Sequence, residues 1–322
     1  MQDHLDDLAT TAAVRATVIA GLGRRPRALP PWLFYDAAGS RLFEAITALP
    51  EYYLTRAEHE IFRDHGPALL AAADLDRDAT VVELGAGTAT KTATLLGTLA
   101  GRGGQVRYVP IDVSASALTV ATAQLAAAVP SVAVTPWVLT TAAALPRVAA
   151  LPTPLAVLFI GSSIGNYDEA EATALLAAVR AAVPVGAALV LGTDLRKPLE
   201  QLLPAYDDAQ GVTAAFNRNV LVRINRELDA DFDPTRFRHV ALWNSDRSRV
   251  EMHLESRGRQ RVRIAAAGLD LDLADGERIH TESSVKYDPA MVERLLATAG
   301  FARVHTATDH AARFAVHVAR AR

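Results

Sequence analysis

The chain contains no cysteine, which excludes disulfides, thiolate nucleophiles, iron–sulfur clusters and zinc sites built on sulfur. Aromatic residues are scarce at 6%, so alanine and aliphatic side chains must fill most of the interior and each aromatic is worth locating. Positive charge is not in excess: 33 Lys and Arg stand against 36 Asp and Glu, a net charge of −3. Nothing there neutralises a phosphate backbone, and nucleic-acid binding is not expected. Long apolar runs are missing too. The longest, AAVPVGAALVLG from Ala181, is interrupted by Pro184 and Gly186 and falls short of the ~20 residues of a spanning helix. The first residues, MQDHLDDLATT, are acidic where a secretory leader is basic. The expectation is a cytoplasmic protein with no membrane partner. The nine histidines show no metal-ligand spacing, so no metal is expected. A Ser-His-Asp hydrolase, which needs a nucleophile elbow, is not expected either.

What is present suits a globular chain. With 322 residues, half of them apolar and 21% charged, it can build one large or two modest cores. Helices are expected over 3–25, 39–49 and 56–73. Near-continuous apolar strands then alternate with helices: strands over 80–84, 106–111, 132–139, 155–160 and 187–191, with helices from about 90, after 114 and over 169–182. This texture marks a parallel sheet covered on both faces. A last helix from 288 to 299 leads to two strands, 302–306 and 313–318, that read as a terminal hairpin. Between 196 and 286 the alternation fails, and strand-like pieces at 219–223, 249–254, 259–265 and 269–273 suggest a mixed α+β insertion.

Three strand ends carry candidate chemistry. Gly85-Ala86-Gly87 follows the first strand of the alternating pattern and opens a helix, a turn that lets a ligand approach backbone N–H groups closely; a plain strand-to-helix turn is the alternative. Thr90 occupies the place of a third glycine, against the dinucleotide fingerprint. Asp112 ends the second strand, where a carboxylate can accept from ribose hydroxyls or simply cap a helix. Gly161-Ser162-Ser163-Ile164-Gly165-Asn166 ends the fourth, so Asn166 would meet a substrate in the crevice or cap the next helix. The terminal hairpin and the missing glycine favour a class I methyltransferase fold using S-adenosylmethionine.

Six segments then resemble one family: 29–58 (LPPWLFYDAAGSRLFEAITALPEYYLTRAE), 83–92 (ELGAGTATKT), 161–166 (GSSIGN), 205–228 (AYDDAQGVTAAFNRNVLVRINREL), 243–254 (WNSDRSRVEMHL) and 281–287 (TESSVKY). They resemble the histidine-specific, S-adenosylmethionine-dependent Nα-methyltransferases of ergothioneine biosynthesis, over nearly the whole chain from Leu29 onward. The resemblance implies an α/β class I (Rossmann-like) methyltransferase domain, a doubly wound sheet with a C-terminal antiparallel hairpin, plus a mixed α+β substrate-binding domain. The expected bounds are 1–195 with 287–322 for the first, which includes the N-terminal helices, and 196–286 for the second. The implied activity moves methyl groups from S-adenosylmethionine, as co-substrate, to the α-amine of L-histidine, up to three times, giving hercynine. The expected partner is this small molecule alone, with the chain a monomer.

Carried over by position, Gly85, Lys91 and Asp112 match cofactor contacts, and Tyr35 and Phe43 match aromatic residues near the cofactor. Asn166 and Tyr206, the catalytic candidates, match the groups at the carboxylate and amine end of histidine, with Gly161 also on the substrate side. Tyr52, Glu282 and Ser284 match the imidazole contacts, and Met252 lines that pocket. One stretch departs. Where the family has Gly-Asp-Phe after the third strand, this chain places Thr141 for the acid and Ala142 for the aromatic, so its adenine contacts differ. Two other readings share the features: the same fold methylating another aromatic amino acid or a modified histidine, and a non-catalytic member that binds an amino acid or nucleoside.

Overall fold

The computed structural model describes residues 11–322 apart from Thr88 and Thr90. Of the helix expected over 3–25, residues 3–10 lie outside the described residues. The rest is α1 (Thr11–Leu22), which buries Val14, Val18 and Leu22 at a spacing that keeps them on one face. Next come β1 (Arg27–Ala28), α2 (Ala37–Thr47) and α3 (Leu54–Ala72). Asp36 caps α2 by accepting the Gly39 N–H, which satisfies a donor the helix itself leaves unpaired. Strands and helices then alternate: β2 (Ala79–Leu84), α4 (Thr92–Ala100), β3 (Val106–Asp112), α5 (Ala115–Ala128), β4 (Val132–Val134), β5 (Trp137–Val138), α6 (Thr141–Val148), β6 (Leu155–Phe159), α7 (Glu169–Ala182) and β7 (Ala188–Asp194). The short α8 (Leu199–Leu202) and the long α9 (Val212–Leu228) lead to β8 (Phe237–Asn244), β9 (Arg249–Ser256), β10 (Gln260–Ile264), β11 (Leu269–Leu273) and β12 (Arg278–Val285). The chain ends with α10 (Pro289–Thr298), β13 (Phe301–Thr308) and β14 (Phe314–Ala321).

The chain divides into two compact units, Leu54–Arg196 with Val285–Arg322, and Met1–Tyr53 with Lys197–Ser284. The first holds an eight-stranded sheet of order β13-β14-β7-β6-β2-β3-β4, with β5 pairing β3. Its strands run parallel from β4 through β7, and the hairpin β13–β14 joins β7 antiparallel. Every residue of β2, β6 and β7 is buried, because helices cover both faces. On one face Val82, Val157, Leu189 and Leu191 pack with Leu176 and Val179 of α7 and Leu295 and Leu296 of α10. On the other, Val81, Leu158 and Val190 line the same interior space as Leu69 and Leu70 of α3 and Leu95 and Leu99 of α4. Each such leucine or valine contributes about 1.5–3 kcal/mol by leaving water. The strand order reverses at β2, between β6 and β3, and an open α/β sheet takes its ligands at the carboxyl ends beside that reversal. The class I methyltransferase fold expected from the sequence is the fold observed.

The second unit builds a four-stranded sheet, β1-β12-β9-β8, and a two-stranded ribbon, β10-β11. Of the described residues, 11–53 cluster here, whereas the sequence places the N-terminal helices with the sheet domain. Long-range polar contacts explain it. β1 pairs with β12, Arg27 bridges to Glu277 at 3.0 Å, and Arg223 of α9 donates to the Leu33 carbonyl. Asp36 accepts from both Asn219 and Arg226.

Two expected elements also change, and one appears that the pattern does not predict. The piece 219–223 is helical, inside α9, where Phe216, Val220, Ile224 and Leu228 are buried at four-residue intervals and outweigh the strand-like run of β-branched residues. The strand expected over 132–139 is split into β4 and β5 around Pro136, which has no N–H for a ladder. The mixed residues of β8 gave no alternation, and that strand was not expected.

Candidate active site

In the sheet unit the turn after β2 is tied to β3. The N–H groups of Gly85 and Ala86 both donate to the Ile111 carbonyl, at 2.9 and 3.0 Å. Gly85 and Gly87 have φ of +68° and +54°, the left-handed region that favours glycine. A side chain at either position would meet nothing within 4 Å, so the turn leaves open space against its backbone. Asp112, at the end of β3, accepts from the N–H groups of Gly87 and Ser114, both at 2.9 Å. Burial raises its pKa, while these donors and Val113 pull it down. A turn open to a ligand beside an oriented carboxylate fits the nucleoside end of S-adenosylmethionine.

Behind the turn, Glu83 of β2 is fully buried and accepts from Thr92 at 2.6 Å and from the Tyr108 hydroxyl. Burial pushes its pKa up to about 7, against the lowering by Thr92, Tyr108 and Lys91. Lys91 places its ammonium 2.5 Å from Glu58 of α3, a carboxylate with no exposed surface. The other Glu58 oxygen accepts the Gly161 N–H at 2.8 Å. Gly161 has φ of +73° and passes close to Lys91, whose Nζ would stand 3.1 Å from a side chain there. Gly85, Lys91, Asp112 and Gly161 are thus tied together through Glu58 and the turn. Glu58 was missed in the sequence, where it reads as one acid in an amphipathic helix.

Asn166 ends a short 3-10 turn, Ser163–Asn166, and is half-buried. It does not cap α7; Asp168 does, in a reciprocal capping box with Glu171. The letters G-x-S-x-G do occur here, as Gly161-Ser162-Ser163-Ile164-Gly165, so the exclusion of a hydrolase rests on geometry. The strained residue is Ser162, at φ +58°, and its hydroxyl accepts the Asp194 N–H at 2.9 Å. Ser163, the serine of the motif, donates to the Ile160 carbonyl at 3.1 Å. Neither is presented as an elbow nucleophile.

Thr141 and Ala142 begin α6, which Thr140 caps. The segment in register with the end of β3 is β5, with Trp137 opposite Ile111 and Val138 opposite Asp112. Leu139 then donates its N–H to the Asp112 carbonyl at 3.1 Å. Among the described residues, Glu60, Asp64 and His310 form a group whose ligand atoms lie within 4.8 Å of one another. His310 is exposed and already paired with Glu60.

In the second unit Tyr35, Phe43 and Tyr52 meet in one aromatic cluster. Phe43 stands edge-on to both tyrosines, with centroids at 5.6 and 6.0 Å. Phe216 of α9 packs against Tyr35 and Phe43 at 5.7 and 5.9 Å. Phe216 was not singled out in the sequence; its spacing in α9 shows only that it faces a core. Tyr206 is buried, and its hydroxyl lies 2.8 Å from that of Ser284 on β12. Met252 of β9 is buried, and its carbonyl accepts from Thr281 at 3.0 Å. Glu282 is half-buried between Thr281 and Ser283 on β12.

A buried imidazole steadies Tyr206 from below. The Asn217 amide nitrogen lies 2.8 Å from His239 Nδ1 and donates to the His253 carbonyl at 3.1 Å. An amide nitrogen only donates, so His239 Nδ1 accepts and its Nε2–H donates to the Tyr206 carbonyl at 2.8 Å. Burial lowers the His239 pKa, in the same direction as this hydrogen-bond pattern, which belongs to a neutral ring. Nearby, burial would raise Glu251, but Arg249, Asn244 and His253 bring it down to about 2. His280 is lowered to about 4, first by burial and then by His253.

A family model described as histidine-specific methyltransferase, SAM-dependent, matches residues 14–321. A histidine N-alpha-methyltransferase of Mycolicibacterium smegmatis is 45% identical over 307 residues, covering 95% of this chain and 94% of that protein. The protein of the same name from Mycobacterium tuberculosis is 44% identical over 317 residues, covering 98% of each. A 4-dimethylallyltryptophan N-methyltransferase of Penicillium roqueforti is 26% identical, across 89% of this chain and 87% of its own length.

Proposed function

We propose a specific reaction on one premise: the chain belongs to the family of histidine-specific, SAM-dependent methyltransferases. The reaction is transfer of methyl groups to the α-amine of L-histidine, up to three times, giving hercynine for ergothioneine biosynthesis. The observation that carries it is the Tyr206–Ser284 hydroxyl pair at 2.8 Å. It joins a residue assigned to the amino-acid end of histidine with one assigned to its ring.

S-adenosylmethionine, when bound, supplies an electrophilic methyl on a positively charged sulfur. Gly85, Lys91 and Asp112 hold it, and the residues after β5, Thr141 and Ala142 among them, stand at its adenine end. Displacement at a methyl carbon needs alignment more than acid–base power. Asn166 and Tyr206 therefore act by fixing the amine and carboxylate, with Gly161 completing that side. The attacking amine must be neutral, and each transfer leaves a cation that sheds a proton before the next. The final product keeps its charge, and the faces of Tyr35 and Phe43 accommodate it. An imidazole offers one donor and one acceptor when neutral. Glu282 accepts the ring N–H, Ser284 donates to the other nitrogen, and Tyr52 and Met252 bound the ring. The chain works as a monomer, without a metal.

The test is to incubate the protein with S-adenosylmethionine and each amino acid in turn, and to follow methylation by mass. Histidine should be the preferred acceptor. Efficient turnover of another amino acid with histidine left unmodified would overturn the reading.

A further inference from the structure

We propose that Glu58 is a positioning residue that sets the Lys91 ammonium and the Gly161 turn as one unit. Its carboxylate is fully buried, yet both oxygens are engaged, one by Lys91 at 2.5 Å and the other by the Gly161 N–H at 2.8 Å. The room for it is specific. A side chain on Gly192 of β7 would lie 2.5 Å from the same Glu58 oxygen, so only glycine lets the carboxylate sit against the sheet. A buried charge is tolerated when it is paired and hydrogen-bonded, and these partners come from two different strand ends. Lys91 lies just ahead of α4, after the β2 turn, and Gly161 follows β6.

An ammonium has three donors and a flexible stem. With one donor fixed on Glu58, the remaining two keep a set direction, and the side chain stays one-quarter exposed. Gly161 is held by the same carboxylate, so the cofactor-side lysine and the substrate-side turn move together. This inference rests on the proposed role of Lys91 as a cofactor contact and of Gly161 as a substrate contact.

The test is a double-mutant cycle on the full chain, with calorimetry of S-adenosylhomocysteine binding to wild type, Glu58→Gln, Lys91→Met and the double variant. Each single change removes a charge-assisted bond, so affinity should fall about 10–100-fold in each. The double variant should bind no worse than the weaker single one, because Glu58 acts through Lys91. Glu58→Asp, which keeps the charge on a shorter stem, should recover part of the loss. A silent Glu58→Gln, or losses that add in the double variant, overturns the proposal while leaving the cofactor role of Lys91 intact. A silent Lys91→Met overturns that role and the proposal with it. Should Glu58→Gln fail to fold, nitrogen-15 NMR of the lysine ammonium groups in the wild type decides. The Lys91 signal, assigned by its loss in Lys91→Arg, should persist at neutral pH as a held ammonium does, and its loss to solvent exchange overturns the proposal.

Discussion

The two units fix the residues assigned to ligands by opposite means. In the sheet unit the groups proposed to hold the cofactor sit at strand ends and are fixed by buried charge, Asp112 on backbone N–H groups and Lys91 on Glu58, and the end of β7 carries a further buried ion pair, Asp194 with Lys286, 2.8 Å apart with no exposure. In the second unit the assigned residues lie on strand faces and helices, and those whose contacts are seen are held by neutral ones: the aromatic cluster of Tyr35, Phe43, Tyr52 and Phe216, the Tyr206–Ser284 pair, and His239 under Tyr206. A charged scaffold suits a cationic, zwitterionic cofactor common to many methyltransferases. A neutral, shape-defined one suits discrimination among amino-acid side chains.

The largest effect should come from breaking a buried charge in the sheet unit. Lys286→Met takes the ammonium away from the fully buried Asp194 carboxylate, and stability should fall by about 3–5 kcal/mol. Denaturant unfolding reads it, and a loss within 1 kcal/mol would show that the pair behaves as an exposed one.

Acid should separate the units next. His239, His253 and His280 all have pKa values lowered by burial, His280 to about 4. They take protons more readily when unfolded, so their unit loses stability as pH falls below ~6.5 toward the folded values. Glu251, lowered to about 2, adds a further loss below its unfolded pKa. In the sheet unit His317 behaves likewise, lowered by burial to about 4. Glu83, raised to about 7, opposes it: its folded form holds a proton that the unfolded chain gives up, so its contribution grows as pH falls from 7. Native-state hydrogen exchange, corrected for intrinsic rates, should show amides of β8 and β9 losing protection at higher pH than those of β2 and β6. The reverse order would contradict the contrast.

The proposed selectivity is tested in the second unit. Glu282→Ala should cost histidine binding about 1–3 kcal/mol by leaving a ring N–H unpaired. With a smaller residue at Met252 as well, preference should shift toward tryptophan, measured as the ratio of kcat/KM values. A double variant with unchanged discrimination would remove both residues from the pocket. The smallest effect returns to the sheet unit. Thr141→Asp should tighten S-adenosylmethionine binding by about 1 kcal/mol through a charge-assisted bond to the adenine amine. Unchanged affinity by calorimetry would mean that the start of α6 does not face adenine and that β5, in register with Asp112, does.

The same contrast decides what could be read from the sequence. Each strand of the parallel sheet is a short apolar run bounded by a turn, and its candidate ligand groups stand at the run's end, so the placing of Gly85, Asp112 and Asn166 at strand ends was legible from local pattern alone. Glu58 could not, because nothing local separates an acid that meets two strand ends from one that faces water. In the second unit the relevant partners are far apart in the chain: Asp36 with Asn219, Tyr206 with Ser284, β1 with β12. Periodicity carries no information on such pairings, and Tyr52, Met252 and Glu282 emerged only through resemblance to a family. The run at 219–223 has a local origin instead: its β-branched residues favour a strand until the four-residue repeat of the whole helix is taken together.

The proposed acceptor is the α-nitrogen of histidine, with the ring left unmodified. The direct measurement is NMR and fragment-ion analysis of the product formed from histidine and methyl-labelled S-adenosylmethionine. The expected product carries up to three labelled methyl groups, all on the α-nitrogen, with both ring nitrogens unsubstituted. Label on either ring nitrogen would contradict the assignment of Glu282 and Ser284 to the imidazole and of Tyr206 and Asn166 to the amine.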